Sequence, residues 1–350
     1  MEVSIVATAY NAELYLERFF TCVLRQTFQN FRLIFIDDCS TDHTAIAAQA
    51  FGELLGERFV FLQAHENAGL SASRNLGLDY VSNHPTEYVS LLDVDDWFED
   101  DYLQDLYSRA QESGAGLCIA GVERYDESRQ RTLAIEMTHA SKQVFEDASA
   151  CHELAYINPC SYAKLYRFEP IASLRFRPVL RSEDTCYLFE ALPYLKSLAF
   201  TNKALYHYSV HEGSLTANVS AAEAQSMHEH FKAMMPLFAV RPHAAFKNQF
   251  EAQVFIRSSI GGVLRQAQGD RTKLKDLVLA ERCWLDSSMP NWRSNPYLSR
   301  SGRRAAGTGR LLSKTSALAF AATAYKRGSA EVLLRAYQLF QRFFKRELRA

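Results

Sequence analysis

Short, continuous runs of apolar residues alternate with segments of helical spacing over the first 120 residues of the chain. The apolar runs fall at residues 3–9, 31–36, 59–62, 88–92 and 117–120. Strands that are apolar along their whole length are typical of parallel sheets with both faces covered by helices. The pattern therefore predicts an α/β fold with a mostly parallel, Rossmann-like sheet flanked by helices.

Helices are predicted in the segments between these strands, where apolar residues recur at helical spacing. We expect the first helix to follow an N-cap at Asn11 and the second to follow a cap at Ser40 or Thr41. Two more helices are expected at residues 71–81 and 99–111.

The chain has 350 residues, a length that fits one large domain or a domain with a substantial extension. The pattern becomes mainly helical beyond residue 216, so we predict an α/β domain over residues 1–216 and a basic, mainly helical C-terminal region over residues 217–350. No run of 18 apolar residues is present, and none of the seven cysteines forms a C-x-x-C pair. We therefore expect a cytoplasmic protein without a membrane-spanning helix.

Charge is distributed unevenly along the chain. Residues 293–350 hold thirteen Lys or Arg and two acids, a net charge of +11, so the first 292 residues carry −12 of the total of −1. An acidic body with a basic tail indicates two surfaces that have different partners.

Acidic residues stand where two of the predicted strands end. Asp37 and Asp38 follow the second strand, and Asp93, Asp95 and Asp96 follow the fourth. Parallel strands of such sheets bind ligands beyond their carboxyl ends. Carboxylates this close repel one another unless a cation compensates, and Mg²⁺ or Mn²⁺ commonly joins carboxylates to substrate phosphates. The alternative is a solvated acidic turn beside a helix cap.

Four other residues are polar and suited to the same site. Arg74 follows a glycine turn, and its guanidinium could contact a nucleotide base or a phosphate, or lie on the surface of a helix. Glu183 and Asp184 precede a helical segment, where acids are also favoured by the helix dipole. His211 could bind a metal or a phosphate, although a lone histidine is more often structural.

Taken in order, these segments resemble the nucleotide-sugar glycosyltransferases of family 2, which have the GT-A fold. The segments that carry the resemblance are Ser4-Ile5-Val6-Ala7-Thr8-Ala9-Tyr10-Asn11, Leu24-Arg25-Gln26-Thr27-Phe28, Ile36-Asp37-Asp38-Cys39-Ser40-Thr41-Asp42, residues 67–77, Leu92-Asp93-Val94-Asp95-Asp96-Trp97, Ser182-Glu183-Asp184 and residues 206–216. The resemblance implies an inverting, metal-dependent transferase in surface polysaccharide or glycoconjugate biosynthesis. It would move a hexosyl or N-acetylhexosaminyl group from a nucleotide-sugar donor, expected to be a UDP-sugar, to a hydroxyl of a glycan or lipid-linked acceptor.

The resemblance also implies a donor site. Thr8, Tyr10 and Asp38 would hold the base and ribose, and Arg74 would lie near the base or the phosphates. Cys39 stands where glycine is common in the family.

The resemblance also implies which residues bind the metal ion and which one acts as the base. Asp93 and Asp95 match the D-x-D motif of the family, and Asp95 or Asp96 would ligate Mn²⁺ or Mg²⁺ on the diphosphate. Asp184 matches the acid that acts as the base in inverting members.

A second departure from the family pattern concerns the diphosphate. Ser209 stands where relatives often carry arginine, which leaves the phosphate contacts of its segment open. His211 would then compensate as a phosphate or metal contact.

Two other functions compete with a transferase. A sugar nucleotidyltransferase would show a glycine-rich, arginine-containing loop after the first strand, whereas this chain has Ala9-Tyr10-Asn11-Ala12. A non-catalytic binding module of the same fold would not need the intact set of carboxylates, which marks a working site.

The basic tail predicts an amphipathic helix. Leu333, Tyr337, Phe340 and Phe344 share one face, and cations flank it. Such a helix either docks on the α/β domain or lies on an anionic membrane surface, peripheral to the inner face, where a lipid-linked acceptor would be found. No nucleic-acid partner is expected.

Overall fold

The structure is a computed structural model, and it describes residues 1–211, 219–268, 270–298, 322–323 and 325–326. The strands are β1 (Val3–Ala9), β2 (Phe31–Asp37), β3 (Phe59–Gln63), β4 (Tyr88–Asp93), β5 (Trp97–Phe98), β6 (Leu117–Asp126), β7 (Arg131–Glu136), β8 (Val144–Phe145), β9 (Lys164–Arg167) and β10 (Leu198–Val210). The α-helices are α1 (Leu16–Arg25), α2 (Thr44–Gly52), α3 (Leu70–Asn83), α4 (Tyr102–Ser113), α5 (Glu183–Leu195), α6 (Ala221–Met234), α7 (Lys247–Val254), α8 (Val263–Ala267) and α9 (Arg271–Ser288). A π-helical stretch, Phe255–Gly262, joins α7 to α8. Short 3-10 helices lie at Glu53–Arg58, Ala148–Ala150, His152–Ala155, Glu169–Ile171, Met235–Ala239, His243–Phe246, Trp292–Ser294 and Pro296–Leu298.

One mixed sheet contains these strands in the order β3-β2-β1-β4-β9-β6-β10-β5, with β7 on β6 and β8 on β10. Parallel pairs join β1 to β2, β1 to β4 and β2 to β3, so the first four predicted strands form a parallel block. β9 runs antiparallel to both β4 and β6, whereas β10 pairs with β6 in parallel. The predicted α/β fold is confirmed, and its parallel order is interrupted by β9.

Burial explains why the early strands are apolar along their whole length. Every residue of β1 is buried, and α3 packs across β1 and β2. Gly77 of α3 permits this close contact, because a Cβ atom there would lie 2.4 Å from Val6 Cγ1. α1 buries its apolar stripe of Leu16, Phe19 and Val23. The core on which the site rests is therefore held by helix-on-sheet packing.

The predicted helix caps were wrong, and the loops show why. Asn11 lies before α1 and accepts a hydrogen bond from the Thr41 N–H at 2.8 Å. Ser40 accepts one from the Asn11 N–H at 2.9 Å, whereas the carboxylate of Asp42 accepts the N–H of Thr44 at the start of α2. The polar residues expected to cap two helices instead tie the loops after β1 and β2 to each other.

The chain divides into two compact units. The first unit comprises Met1–Cys151, Asn158–Pro178 and Glu183–His211, and the second comprises His152–Ile157, Val179–Ser182 and Glu212–Ala350. The boundary predicted at residue 216 falls outside the described residues, as does the amphipathic helix predicted around residues 332–348.

The second unit is helical where the structure describes it. Ser220 and Glu223 form a capping box at the start of α6. Burial alone would raise the pKa of Glu223, but hydrogen bonds from Ser220 and Arg181 lower it to about 2. None of the described helices combines the length and the apolar character that crossing a membrane requires.

Candidate active site

The carboxyl ends of β1, β2 and β4 meet at one edge of the sheet. The parallel register places Thr8 opposite Ile36 on one side and opposite Asp93 on the other. The Asp38 N–H donates to the Ala9 carbonyl at 2.8 Å. Thr8, Asp38 and Asp93 come from separate segments of the sequence, and the sheet brings them together.

Arg74, on α3, is the buried centre of a cluster of charges. Its Nη2 donates to Asp93 Oδ1 at 2.9 Å, and its Nη1 donates to Asp184 Oδ1 at 2.7 Å and Glu183 Oε1 at 3.2 Å. The ring of Phe176 lies 5.2 Å from the guanidinium carbon. The predicted contact of Arg74 with a base or phosphate does not fit this geometry, because the side chain is only 3% exposed and is paired with three carboxylates. Arg74 instead joins the D-x-D segment to the predicted base.

The three carboxylates around Arg74 share a single cation, so they repel one another. Burial and the charge of Asp184 raise the pKa of Glu183 to about 7, and burial also raises the pKa of Asp93. Burial opposes the charge of Arg74, but its carboxylate neighbours outweigh this and raise the pKa of the guanidinium. Arg74 therefore stays charged, and the raised pKa of Glu183 lies near neutral pH.

Asp184 is held through one of its two carboxylate oxygens. Its Oδ1 accepts hydrogen bonds from the Ser161 hydroxyl at 2.5 Å and from Arg74 at 2.7 Å. No residue in the described part of the chain donates to Oδ2, and the side chain is 23% exposed. A carboxylate fixed in this way can take a proton on its second oxygen from a group outside the protein.

Lys164 holds the loop that supplies Ser161. Its fully buried ammonium donates to the carbonyl of Cys160 at 2.6 Å and to the carbonyls of Asn158 and Tyr162 at 3.3 Å. These three carbonyls satisfy a cation that burial would otherwise make costly. The ammonium thereby fixes the backbone on both sides of Ser161.

Asp95 and His211, two of the predicted metal ligands, contact each other. Asp95 Oδ2 lies 3.2 Å from His211 Nε2, and His211 Nδ1 lies 3.3 Å from the Tyr15 hydroxyl. The hydrogen bond with Asp95 raises the pKa of His211. A metal-binding imidazole must present one unprotonated nitrogen, so its Nδ1–H would then donate to Tyr15.

The Asp95–His211 pair supplies only part of a coordination shell. Across the described ranges, no group of three or more His, Cys, Asp or Glu side chains is arranged to hold a metal ion. Mg²⁺ is commonly bound through one or two protein carboxylates and completes its shell with water and substrate phosphates. The pair therefore fits a divalent cation that also binds a diphosphate.

Asp96 does not fit the predicted role of a metal ligand. It is fully buried, its Oδ2 accepts the Tyr206 hydroxyl at 2.7 Å, and its Oδ1 accepts the Ser209 N–H at 2.8 Å. Burial, with the charges of Asp95 and Asp93, raises the pKa of Asp96 well above its ordinary value. Asp96 links the turn after β4 to β10, whereas the side chain of Asp95 is 35% exposed.

The remaining predicted donor-site residues differ in their surroundings. Asp38 accepts the N–H groups of Ala68 at 3.1 Å and Gly69 at 2.9 Å, and so fixes the turn before α3. Tyr10 is 48% exposed. Thr8 Oγ1 is buried and has no hydrogen-bond partner among the described residues. A buried hydroxyl of this kind is available to a ligand.

The two departures from the family pattern have local explanations. Cys39 has a φ of +60°, in the left-handed region that favours glycine. Ser209 donates its hydroxyl to Glu127 at 2.8 Å, so this position belongs to a polar network rather than presenting a cation.

Sequence reasoning missed Ser161, Lys164 and Tyr15. A single serine or tyrosine gives no signal when its partner lies far away in the sequence. Lys164 did offer a signal, because it stands beside Leu165 and Tyr166 in the segment that becomes β9, and a lysine there must find buried acceptors.

Comparison with known proteins decides the family. Residues 4–175 match Glycosyl transferase family 2, a span that contains Asp38, Arg74 and the D-x-D segment. Residues 4–175 belong to this family. The family assignment and the α/β, GT-A-type fold predicted from the sequence are thus confirmed, whereas the individual site residues remain predictions.

Two known proteins and one solved structure are similar to this chain. It is 29% identical over 224 residues to glycosyltransferase GlyA of Streptococcus pneumoniae, covering 61% of this chain and 31% of GlyA. It is 23% identical over 231 residues to the minor teichoic acid biosynthesis protein GgaB of Bacillus subtilis, covering 65% of this chain and 25% of GgaB. The chain therefore matches a third or less of each relative.

The structure of S. aureus TarS residues 1–349 in complex with UDP-GlcNAc has a TM-score of 0.71 to this chain. The two are 15% identical, and the match covers 98% of this chain and 92% of that one. At this identity the likeness shows the fold, and it extends past the family match at residue 175.

Proposed function

We propose that the chain is an inverting glycosyltransferase that moves a hexosyl or N-acetylhexosaminyl group from a UDP-sugar to an acceptor hydroxyl. The observation that carries this proposal is the Arg74 cluster. One buried guanidinium binds Asp93, from the D-x-D segment, and Asp184, the candidate base. A donor-binding segment and a proton acceptor are thereby held at one point of the first unit.

The donor would bind along the carboxyl edge of β1, β2 and β4. Thr8 offers an unpartnered buried hydroxyl, and Tyr10 offers an exposed ring for a nucleotide base. The fold neighbour TarS was solved with UDP-GlcNAc, which supports a uridine nucleotide here.

Asp184 would act as the general base. An acceptor hydroxyl is too weak an acid to attack a sugar carbon unaided, so a positioned carboxylate takes its proton as the new bond forms. Arg74 and Ser161 hold Oδ1 and leave Oδ2 to receive that proton. Attack from the face opposite the leaving diphosphate inverts the anomeric carbon.

Asp95 and His211 would hold Mn²⁺ or Mg²⁺ together with the diphosphate. When bound, the cation supplies Lewis-acid stabilisation of the charge that develops on the leaving group. Tyr15 orients His211, and Asp96 fixes the turn that carries Asp95.

The acceptor would be a hydroxyl of a surface glycan or of a lipid-linked precursor. GgaB is a teichoic acid biosynthesis protein, which supports a role in cell-surface polymer synthesis. The basic tail would bring the enzyme to the inner face of an anionic membrane, where such precursors are found.

A donor panel tests the proposal. The full chain would be incubated with UDP-GlcNAc, UDP-glucose, UDP-galactose and GDP-mannose, with Mn²⁺ or with excess chelator, and with a purified cell-surface glycan fraction. We expect release of nucleoside diphosphate from one donor, and loss of that release on chelation. Asp95→Asn should lower turnover about 100-fold or more. Asp100→Asn is the matched control, because Asp100 lies in the same loop region but pairs with the exposed Arg25.

Other products would identify the competing functions. Pyrophosphate release from a sugar phosphate and a nucleoside triphosphate would indicate a nucleotidyltransferase. Donor binding without any product, with every donor and metal, would indicate a binding module and would overturn the proposal.

A further inference from the structure

Arg18, on α1, reaches from its helix to the turn that carries Asp95. Its Nη2 donates to the backbone carbonyl of Asp95, and its Nη1 donates to the carboxylate of Glu127. The indole of Trp97 lies 4.5 Å from the guanidinium carbon. The two terminal nitrogens of the planar guanidinium thus bind two different segments of the chain.

Glu127 makes the corresponding contacts with the segment before His211. Its carboxylate accepts the Ser209 hydroxyl at 2.8 Å, and its backbone N–H donates to the Val210 carbonyl at 3.3 Å. His211 is the next residue in the chain. Glu127 therefore fixes the end of β10 through both a side chain and the backbone.

We propose that Arg18 and Glu127 are positioning residues that hold Asp95 and His211 at the separation needed to share one divalent cation. This inference rests on the proposed function for the metal itself. Arg18 fixes the backbone of Asp95, and Glu127 fixes the residues just before His211. The ion pair between Arg18 and Glu127 joins these two segments. Neither side chain needs to touch the cation.

A purely electrostatic role makes the opposite prediction. Arg18 is a cation beside a site for a cation, so its charge alone weakens metal binding through space. Removing that charge would then tighten binding. Removing a positioning contact would weaken it, because outer partners of metal ligands are worth about 10-fold to 100-fold in affinity. The direction of the change therefore separates the two roles.

The experiment measures Mn²⁺ affinity of the full chain by electron paramagnetic resonance in the presence of UDP. Arg18→Met removes both hydrogen bonds and keeps an apolar stem against Trp97. We expect Mn²⁺ to bind about 10-fold more weakly to this variant. The matched control is Arg25→Met on the same helix, which breaks an exposed ion pair with Asp100 and should leave the affinity unchanged.

Ser209→Ala provides a second test that changes no charge. It removes one hydrogen bond to Glu127, so we expect Mn²⁺ to bind about 3-fold more weakly. This loss is smaller than the loss expected for Arg18→Met. Circular dichroism shows whether Arg18→Met folds. If it does not fold, the Mn²⁺ affinity of Ser209→Ala tests the positioning role.

Unchanged or tighter Mn²⁺ binding by a folded Arg18→Met variant, or by Ser209→Ala if the first does not fold, overturns the inference and leaves the proposed function standing. Absence of Mn²⁺ binding by the wild-type chain overturns both the metal site and the inference. The two failures are therefore distinguishable.

Discussion

Glu183 gives a quantitative prediction about stability. Its side chain is 13% exposed, and its pKa is about 7 in the folded chain against an ordinary value of 4.5. Ionisation is therefore harder in the folded state than in the unfolded state. Each pKa unit corresponds to about 1.4 kcal/mol, so the ionised carboxylate costs the fold up to about 3 kcal/mol.

The sign of the effect fixes its pH range. Below pH 4.5 Glu183 is protonated in both states, and the cost is absent. As the pH rises from 4.5 to 7, the unfolded state loses its proton first, and the folded state loses stability until the pKa of about 7 is passed. Above that pH the full cost remains.

Glu183→Gln removes this cost and keeps an oxygen that can accept from Arg74. We expect the free energy of unfolding at pH 8 to rise by up to about 3 kcal/mol, with the gain shrinking towards zero near pH 4.5. Urea denaturation followed by circular dichroism at several pH values measures it. Glu190→Gln is the control, because Glu190 lies on the same helix and pairs one-to-one with Arg177.

Two results would refute this reasoning. The first is a Glu183→Gln chain no more stable than wild type at pH 8. The second is an equal gain at pH 5 and pH 8, which would assign the effect to packing rather than to charge.

Three further predictions concern Asp184, Arg74 and the basic tail. Asp184→Asn should lower kcat and leave donor affinity nearly intact, with an inverted anomeric centre in the wild-type product by NMR; loss of donor binding instead, or a retained centre, would contradict the base assignment. Arg74→Met should lower the free energy of unfolding at pH 8 by about 3–5 kcal/mol in urea denaturation, because three half-buried carboxylates lose the buried cation that they share; a loss below about 1 kcal/mol would argue against the cluster. The full chain should float with anionic liposomes at low salt and float less when the cations of residues 342–349 become Gln, at about 1 kcal/mol per cation; equal flotation of both chains, or none, would favour a helix docked on the protein.

The sequence predicted the parallel half of the sheet well, because its signals are local. An apolar run that ends at Asp37 or Asp93 marks both a strand and a ligand-binding edge, and the register then brings those ends together. β9 could not be predicted in this way. It begins at Lys164 and inserts between β4 and β6, and its place depends on pairing between distant segments.

The acidic residues and Arg74 of the candidate site stand out in the sequence, but their contacts with one another do not. Asp95 and Asp96 are adjacent and chemically identical, and only the fold decides that Asp96 is buried against Tyr206 and β10. Arg74 was expected near the nucleotide, yet its partner Asp184 is 110 residues away in the sequence. Roles depend on which long-range contacts form, and spacing along the chain does not contain them.

Lys164 binds its loop through the backbone carbonyls of residues 158, 160 and 162, and every amino acid carries such a carbonyl. The side chains at these positions differ in how far packing constrains them. Cys160 and Tyr162 are buried in the core, and Tyr162 stacks on Tyr206 with ring centroids 4.7 Å apart. Asn158 is half-buried, so its side chain is the one of the three that can change most easily while the acceptor of the ammonium stays in place. Variation beside Ser161 and the candidate base is therefore expected at residue 158 rather than at residues 160 and 162.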